Sequence, residues 1–242
     1  DEGLVGSEMC IRDRHIIAAN IDQAILMITL QSPLTTTGFI DRFLVSAQAF
    51  GVEVILFFNK IDLYSKKLII QNQNLMREYS KIGYRCISLS ALNDNINEVK
   101  SIVENKNNLI SGHSGVGKST LINKLLGTAD ISTNEISQRH DQGQHTTTFS
   151  ELYRLDFGGT IIDTPGIKGF GLVNIDVDNL SDYFPEFLSL KQDCKFNNCK
   201  HINEPNCKVK EALENGQISK DRYSNYLSML ETEESIYRTN NY

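Results

Sequence analysis

The chain has no run of the roughly eighteen uninterrupted apolar residues that a membrane helix needs. Its longest apolar stretches, Ala24–Leu30 and Val54–Phe58, have the length of buried strands. Nor does it open on a charged-then-apolar leader with a cleavage site. A basic excess is also missing: 24 Lys and Arg stand against 30 Asp and Glu, a net charge of −6. That excludes coating nucleic acid by bulk electrostatics and leaves room only for a local basic patch. Cysteine is scarce, five in all, and three of them crowd between Cys194 and Cys207. This spacing favours a metal site in a reducing compartment over a disulfide framework. The expectation is a soluble, cytoplasmic protein with no membrane partner. Its 242 residues, 40% hydrophobic, suffice for one full α/β core and a small appended module.

Asp1–Arg14 show no periodicity and no motif, and are expected to be a non-native segment; the chain is then a fragment lacking its true N-terminal portion. From Ala24 onward strands alternate with helices: strand Ala24–Leu30, helix Gly38–Phe50, strand Val54–Phe58, helix Ser65–Lys81, strand Arg85–Leu89, helix Ile96–Glu104, strand Asn108–Ile110 and helix Lys118–Leu126. Such alternation implies a mostly parallel sheet with flanking helices. A long polar run, Thr128–Thr147, reads as a functional loop. Glu151–Asp156 and Thr160–Ile162 read as a hairpin turning through Gly158 and Gly159. Beyond Ile175 the composition shifts to Asn, Lys and Cys and ends in a charged helix from Ser219. The expected division is 1–14, an α/β domain over 15–175, and a small α-helical metal-binding domain over 176–242.

Gly112, His113, Ser114, Gly115, Val116, Gly117, Lys118 and Ser119 fit GxxxxGK[ST] between a predicted strand and a predicted helix, with Thr120 the next residue of that helix. The glycines let backbone N–H groups wrap a phosphate, Lys118 reaches the β and γ oxygens, and the Ser119 hydroxyl can ligate Mg²⁺. Asp163 and Gly166 bracket a DxxG turn one hairpin later. There the carboxylate would approach Mg²⁺ through water, and the Gly166 N–H would sense the γ-phosphate.

Asn59, Lys60, Ile61 and Asp62 match NKxD after a strongly apolar strand. A carboxylate can accept both N1–H and N2–H of guanine, a pairing that adenine does not offer, so Asp62 supplies specificity as well as affinity. Asn59 would contact N7 or brace the loop, and the stem of Lys60 would cover the ring. Ser90 and Ala91 follow the next strand, where a backbone N–H commonly meets the guanine carbonyl. Together these favour GTP over ATP and speak against a metabolic P-loop ATPase or kinase. The order NKxD, Ser-Ala, phosphate loop, Thr-rich loop, DxxG is rotated relative to ordinary GTPases. Cutting a chain elsewhere and joining its old termini preserves a sheet when the termini lie close. The fold class expected is therefore a circularly permuted P-loop GTPase domain.

Among Thr146, Thr147 and Thr148, one is expected to close over Mg²⁺ and the γ-phosphate, with Thr147 the central choice. After Gly166 stands Ile167, where a water-orienting glutamine often sits. An apolar side chain cannot orient water, so His145 is the candidate to do so, with His113 as its competitor facing the nucleotide or solvent. Cys194, Cys199, His201 and Cys207 place three thiols and one imidazole in fourteen residues, a donor set suited to one tetrahedral structural Zn²⁺. Lys191, Lys195, Lys200, Lys208 and Lys210 surround them and suggest a mildly basic face or simple solvation. A pure RNA-binding metal module with a vestigial pocket is the remaining rival, and the intact Lys118, Ser119 and Asp163 oppose it.

With these residues in hand, the sequence resembles the RsgA (YjeQ or EngC) family of circularly permuted GTPases, from about Ile16 to the C-terminal helix. The resemblance implies an rRNA-binding N-terminal OB-fold, expected to be absent here, ahead of the GTPase and zinc domains. It further implies GTP hydrolysis to GDP and phosphate, stimulated by the small ribosomal subunit, in late assembly of that subunit, by a protein expected to be monomeric. Gln144 stands where the family often has arginine.

Overall fold

The computed structural model describes residues 20–127, 151–163 and 177–239, with side chains to Thr232. Six strands form one sheet in the order β3-β2-β1-β4-β6-β5. In chain order these are β1 (Gln23–Ile28), β2 (Glu53–Phe58), β3 (Arg85–Ser88), β4 (Asn107–Ser111), β5 (Glu151–Arg154) and β6 (Thr160–Asp163). Every neighbouring pair is parallel except β5 and β6, the hairpin.

The apolar runs form central strands because both faces of a parallel sheet are covered by helices. All six residues of β1 are buried, in register with Glu53–Phe58 on one side and Asn108–Ser111 on the other. The polar Gln23 is admitted because its amide is spent: Nε2 donates to Ile102 O at 2.8 Å and Asn108 Oδ1 at 2.6 Å, while Oε1 accepts from Lys106 Nζ at 2.7 Å. One face carries Ile25, Met27, Ile55, Phe57 and Ile110 against α3 (Asn97–Val103) and α4 (Lys118–Leu126). The opposite face carries Leu26, Ile28, Leu56 and Phe58 against α1 (Thr37–Ala49) and α2 (Lys66–Ile82). Thr36 caps α1 by accepting the Phe39 N–H, Ser65 does the same for α2 through Leu68, and Gly83 ends α2 in the left-handed region at φ 114°.

The boundaries differ from the sequence expectation by a residue or two at most ends, and the Asn-, Lys- and Cys-rich tail is α-helical as expected, with short elements ahead of its C-terminal helix. It contains a 3₁₀ segment (Val177–Tyr183), then α5 (Pro185–Lys191), α6 (Lys208–Glu214) and α7 (Lys220–Thr239). Helices of two turns carry too few residues to show a period. Nor is this tail separate from the sheet-bearing part. Leu180, Phe184, Phe187, Val209, Tyr226 and Met229 form one apolar cluster with the three cysteines, and Val45 of α1 belongs to it.

Candidate nucleotide and metal sites

The carboxyl ends of the parallel strands lie along one edge of the sheet, where open α/β sheets bind ligands. Asn59–Asp62 leave β2, Ser90 and Ala91 follow β3, the phosphate loop leaves β4, and Asp163 ends β6. Segments distant in the chain thus meet on one side of the molecule.

The loop's backbone requires glycine at two points. Gly112 sits at φ 145°, and a Cβ there would lie 2.6 Å from Met27 O; Gly117, at φ 104°, has Asn59 Nδ2 in the space a Cβ would take. Ser114 and Gly115 form its exposed rim, and Val116 is buried beneath. Lys118 arches back so that Nζ donates to Gly112 O at 2.8 Å and His113 O at 3.1 Å. Burial pushes the Lys118 ammonium down from its usual range, and the negative charge of Asp163 partly restores it. A desolvated cation over a glycine loop is poised to regain solvation from an anion. Ser119 and Thr120 begin α4 just behind it.

Asn59 ties three of the motifs together. Its Nδ2 donates to Val116 O at 2.7 Å, its Oδ1 accepts the Ala91 N–H at 2.8 Å, and its own N–H donates to Ile28 O at 2.8 Å. Of the two roles open to it in sequence, bracing is the one its geometry displays. The Ala91 N–H expected at a guanine carbonyl is engaged by Asn59. Lys60, with φ 65°, reaches Ser32 O at 2.6 Å. Asp62 is exposed, and its Oδ2 accepts from Asn93 Nδ2 at 3.0 Å. The Ser90 turn is closed by Ser90 N–H on Asp94 Oδ2 at 2.5 Å and Asn93 N–H on Ser90 Oγ at 3.3 Å.

Asp163 stands opposite Glu151 in the hairpin register, and its Oδ1 is buried without a partner among the described residues. Burial raises its pKa, Lys118 opposes the rise, and Glu151 adds to it. This orphaned oxygen, close enough to Lys118 to feel its charge, is a hard donor of the kind that Mg²⁺ takes.

In the C-terminal part, the ligand atoms of Cys194, Cys199, His201 and Cys207 all lie within 4.8 Å of one another, and all four residues are buried. His201 Nδ1 lies 3.3 Å from Cys207 Sγ and 3.8 Å from Cys194 Sγ. These two separations are those of tetrahedron edges for metal–ligand bonds of about 2.0–2.3 Å, so the four donors could close on one metal ion. The surrounding chain holds the shape: Tyr223 and Tyr226 hydroxyls donate to His201 O and Lys200 O, and Glu204 gathers the N–H groups of Lys200, Ile202 and Asn203. The lysines are less free than their number suggests. Lys191 pairs with Asp182, Lys200 with Asp178 and Lys208 with Glu211.

A family model described as RsgA GTPase matches residues 6–173. The chain belongs to the RsgA GTPase family. Among RsgA relatives, the small ribosomal subunit biogenesis GTPase RsgA of Flavobacterium psychrophilum is 53% identical over 229 residues, which cover 94% of this chain and 70% of that protein. The protein of the same name from Christiangramia forsetii is 52% identical, over 96% of this chain and 74% of its own length. The fold agrees with the crystal structure of YjeQ from Thermotoga maritima (TM-score 0.73, 37% identity, 88% of this chain and 71% of that one). It also agrees with YloQ, a circularly permuted GTPase (TM-score 0.71, 30% identity, 89% and 69%).

Of the positions expected to complete an RsgA site, His145, Thr146, Thr147, Thr148 and Gly166 lie outside the described residues. Conversely, sequence reasoning did not reach Tyr64, Asn93 or Phe39. Each contacts a motif residue from a position to which no motif points. Phe39 places its ring 4.1 Å from that of His113.

Proposed function

We propose that this GTPase binds GTP and Mg²⁺ at the carboxyl edge of its sheet and hydrolyses GTP to GDP and phosphate as a late maturation factor of the small ribosomal subunit. The observation that carries the reading is Asn59, which binds the phosphate loop through Val116 and the Ser-Ala turn through Ala91. Motifs that stand in rotated order in the chain are thereby tied to one another, as one base-and-phosphate pocket would need. In that pocket Asp62 would read the guanine edge and Lys60 would flank the base. Ser90 and Ala91 would line the base, their N–H groups held by Asp94 and Asn59. Gly112 to Gly117 would cradle the phosphates with Lys118, while Ser119, Asp163 and Thr147 would hold Mg²⁺, with Thr120 behind them. Bound Mg²⁺ supplies charge neutralisation at the β and γ oxygens. Gly166 is assigned to sensing the γ-phosphate, and His145 to holding the attacking water in place of the glutamine absent at Ile167.

The same reading divides the chain into a GTPase domain over 15–175 and a metal domain over 176–242. A buried three-thiol, one-imidazole set with no open position suits one structural Zn²⁺. We assign the protein the small ribosomal subunit as its partner, on the names of its relatives, and propose rRNA contact, a monomeric state and a cytoplasmic location for it. Because three of the five lysines near the metal ligands are already ion-paired, rRNA contact there would rely on more than bulk charge.

The test is phosphate release from GTP and ATP with and without purified small ribosomal subunits. Turnover confined to GTP and accelerated by the subunit is the expected result. Equal use of ATP would overturn the base assignment, and tight GTP binding without stimulation would overturn the partner. Unchanged stimulated turnover in His145→Ala would remove that residue from the mechanism.

A further inference from the structure

Strands β1 and β2 run in parallel register up to the pair Ile28 and Phe58, and the Asn59 N–H then donates to Ile28 O at 2.8 Å. In a parallel ladder the residue making that bond would next accept, at its own carbonyl, the N–H of Leu30. Here that direct bond is replaced. The Leu30 N–H donates to the Tyr64 hydroxyl at 2.7 Å, and the hydroxyl donates to Asn59 O at 3.0 Å. One oxygen atom is spliced into the ladder where the two strands part.

The tyrosine reaches that position from the far end of a short 3₁₀ turn, Ile61–Leu63, whose last bond is Tyr64 N–H to Ile61 O at 3.1 Å. Its hydroxyl therefore also closes the segment 59–64 upon itself, and this segment carries Lys60 and Asp62. Tyr64 is 8% exposed and Asn59 is buried, so the Asn59 carbonyl would be costly to leave unpaired, and the part-buried Leu30 N–H less so.

We infer that Tyr64 is a positioning residue for guanine recognition, its hydroxyl setting the gap between Leu30 and Asn59 and so placing the Asn59 carboxamide and the Asp62 carboxylate. The inference rests on the base site proposed above. Loss of the hydroxyl either zips the strands one bond further or strands two polar groups. The first draws Asn59 toward Leu30 and the second frees it from its tether, and Asn59 also holds Val116 and Ala91.

Tyr64→Phe keeps the ring and removes the spacer. In calorimetric titrations the variant is expected to bind GDP about tenfold more weakly, the effect of one lost buried bridge. Its preference for GDP over inosine diphosphate, which lacks the 2-amino group facing Asp62, should shrink by about threefold, since a displaced acceptor loses discrimination first. The rate at saturating GTP should stay within about twofold, a loss in binding rather than in the chemical step. A tyrosine that merely packs would leave the GDP-to-inosine ratio untouched. Asp62→Asn is the companion variant: its amide should favour xanthosine diphosphate, and if it leaves the guanine preference intact the base site itself is wrong. If Asp62→Asn shifts the preference while folded Tyr64→Phe keeps both affinity and ratio, the role of Tyr64 is overturned. Hydrogen exchange of the wild-type Leu30 amide gives a check that needs no variant. It should slow more with GDP than with ADP, and equal protection by both would also overturn the inference.

Discussion

Arg222 Nη1 lies 2.7 Å from Asp41 Oδ1 with both side chains sealed from solvent, joining α7 to α1 across 181 positions of the chain. Glu186 of α5 takes the other edge of the guanidinium at 2.8 and 3.0 Å, and the Phe184 ring lies 4.6 Å beneath it. Asn225 and Tyr79 complete the shell around Asp41 with bonds of 2.6 and 2.7 Å. Burial pushes the Asp41 carboxyl up from its usual range, and Arg222 is the largest influence opposing it. The same helix carries Phe39 against His113 of the phosphate loop. The part with the Cys₃His cluster is therefore held on the helix that backs the candidate nucleotide site, not tethered beside it.

Removing one partner of such a network leaves buried charge without compensation. Arg222→Met is expected to lose about 3–5 kcal/mol of unfolding free energy in urea titrations, because Asp41 and Glu186 then lose the cation they share. Arg222→Lys should recover only part of this, since a point charge cannot bridge two carboxylates with a planar fork. A loss below about 1 kcal/mol for Arg222→Met would mean that the network contributes no more than a surface pair.

Gly117 tests the joint between phosphate loop and base motif. Its φ of 104° disfavours any side chain, and the methyl of alanine would claim the space of Asn59 Nδ2. Gly117→Ala should weaken GDP binding by at least about 30-fold, roughly 2 kcal/mol from backbone strain and a displaced Asn59. Adding Asn59→Ala to relieve the clash should not restore affinity, because the bracing bonds are lost as well. Retained affinity in the single variant, measured by fluorescent nucleotide displacement, would contradict the tight packing.

Much of this was legible in the chain. The apolar runs of β1 and β2 had no period to distinguish their faces, yet their length and the turn signals around them place them as central strands. The GxxxxGK[ST] loop, the NKxD segment with Asp62 and the Cys₃His set stand out in the sequence because the chemistry each would serve fixes both residue type and spacing. Tyr64 and Arg222 could not be read in this way. A hydroxyl that replaces a ladder bond, or a guanidinium that meets Asp41 from 181 residues away, depends on tertiary placement that no local pattern encodes. The bracing of Asn59 was visible only as one of two options, until Val116 and Ala91 were found at its two ends.

Cys207→Ser should break the metal cluster. One zinc per chain is expected in the wild-type protein by elemental analysis, and the variant should hold well under half of that, since a structural site needs its full tetrahedral set. Because the cysteines share an apolar cluster with Val45 of α1, metal loss should also lower the melting temperature of the sheet-bearing part. Unchanged melting after complete zinc removal by a chelator would show the two parts to be energetically independent.

His113 provides the pH dependence. Burial lowers its pKa from the usual 6.5, and the neighbouring Lys118 charge lowers it further. In the window between the lowered value and 6.5 the unfolded chain therefore binds more protons than the folded one. Stability contributed by the neutral ring is complete above 6.5 and drains away as pH falls through that window. The expected observation is an imidazole proton resonance for His113 with a midpoint below 6.5. Phe39→Ala should move that midpoint upward, since the Phe39 ring at 4.1 Å supplies part of the burial. A wild-type midpoint at or above 6.5, or one that Phe39→Ala leaves in place, would show that the ring stack does not control the charge at the phosphate loop.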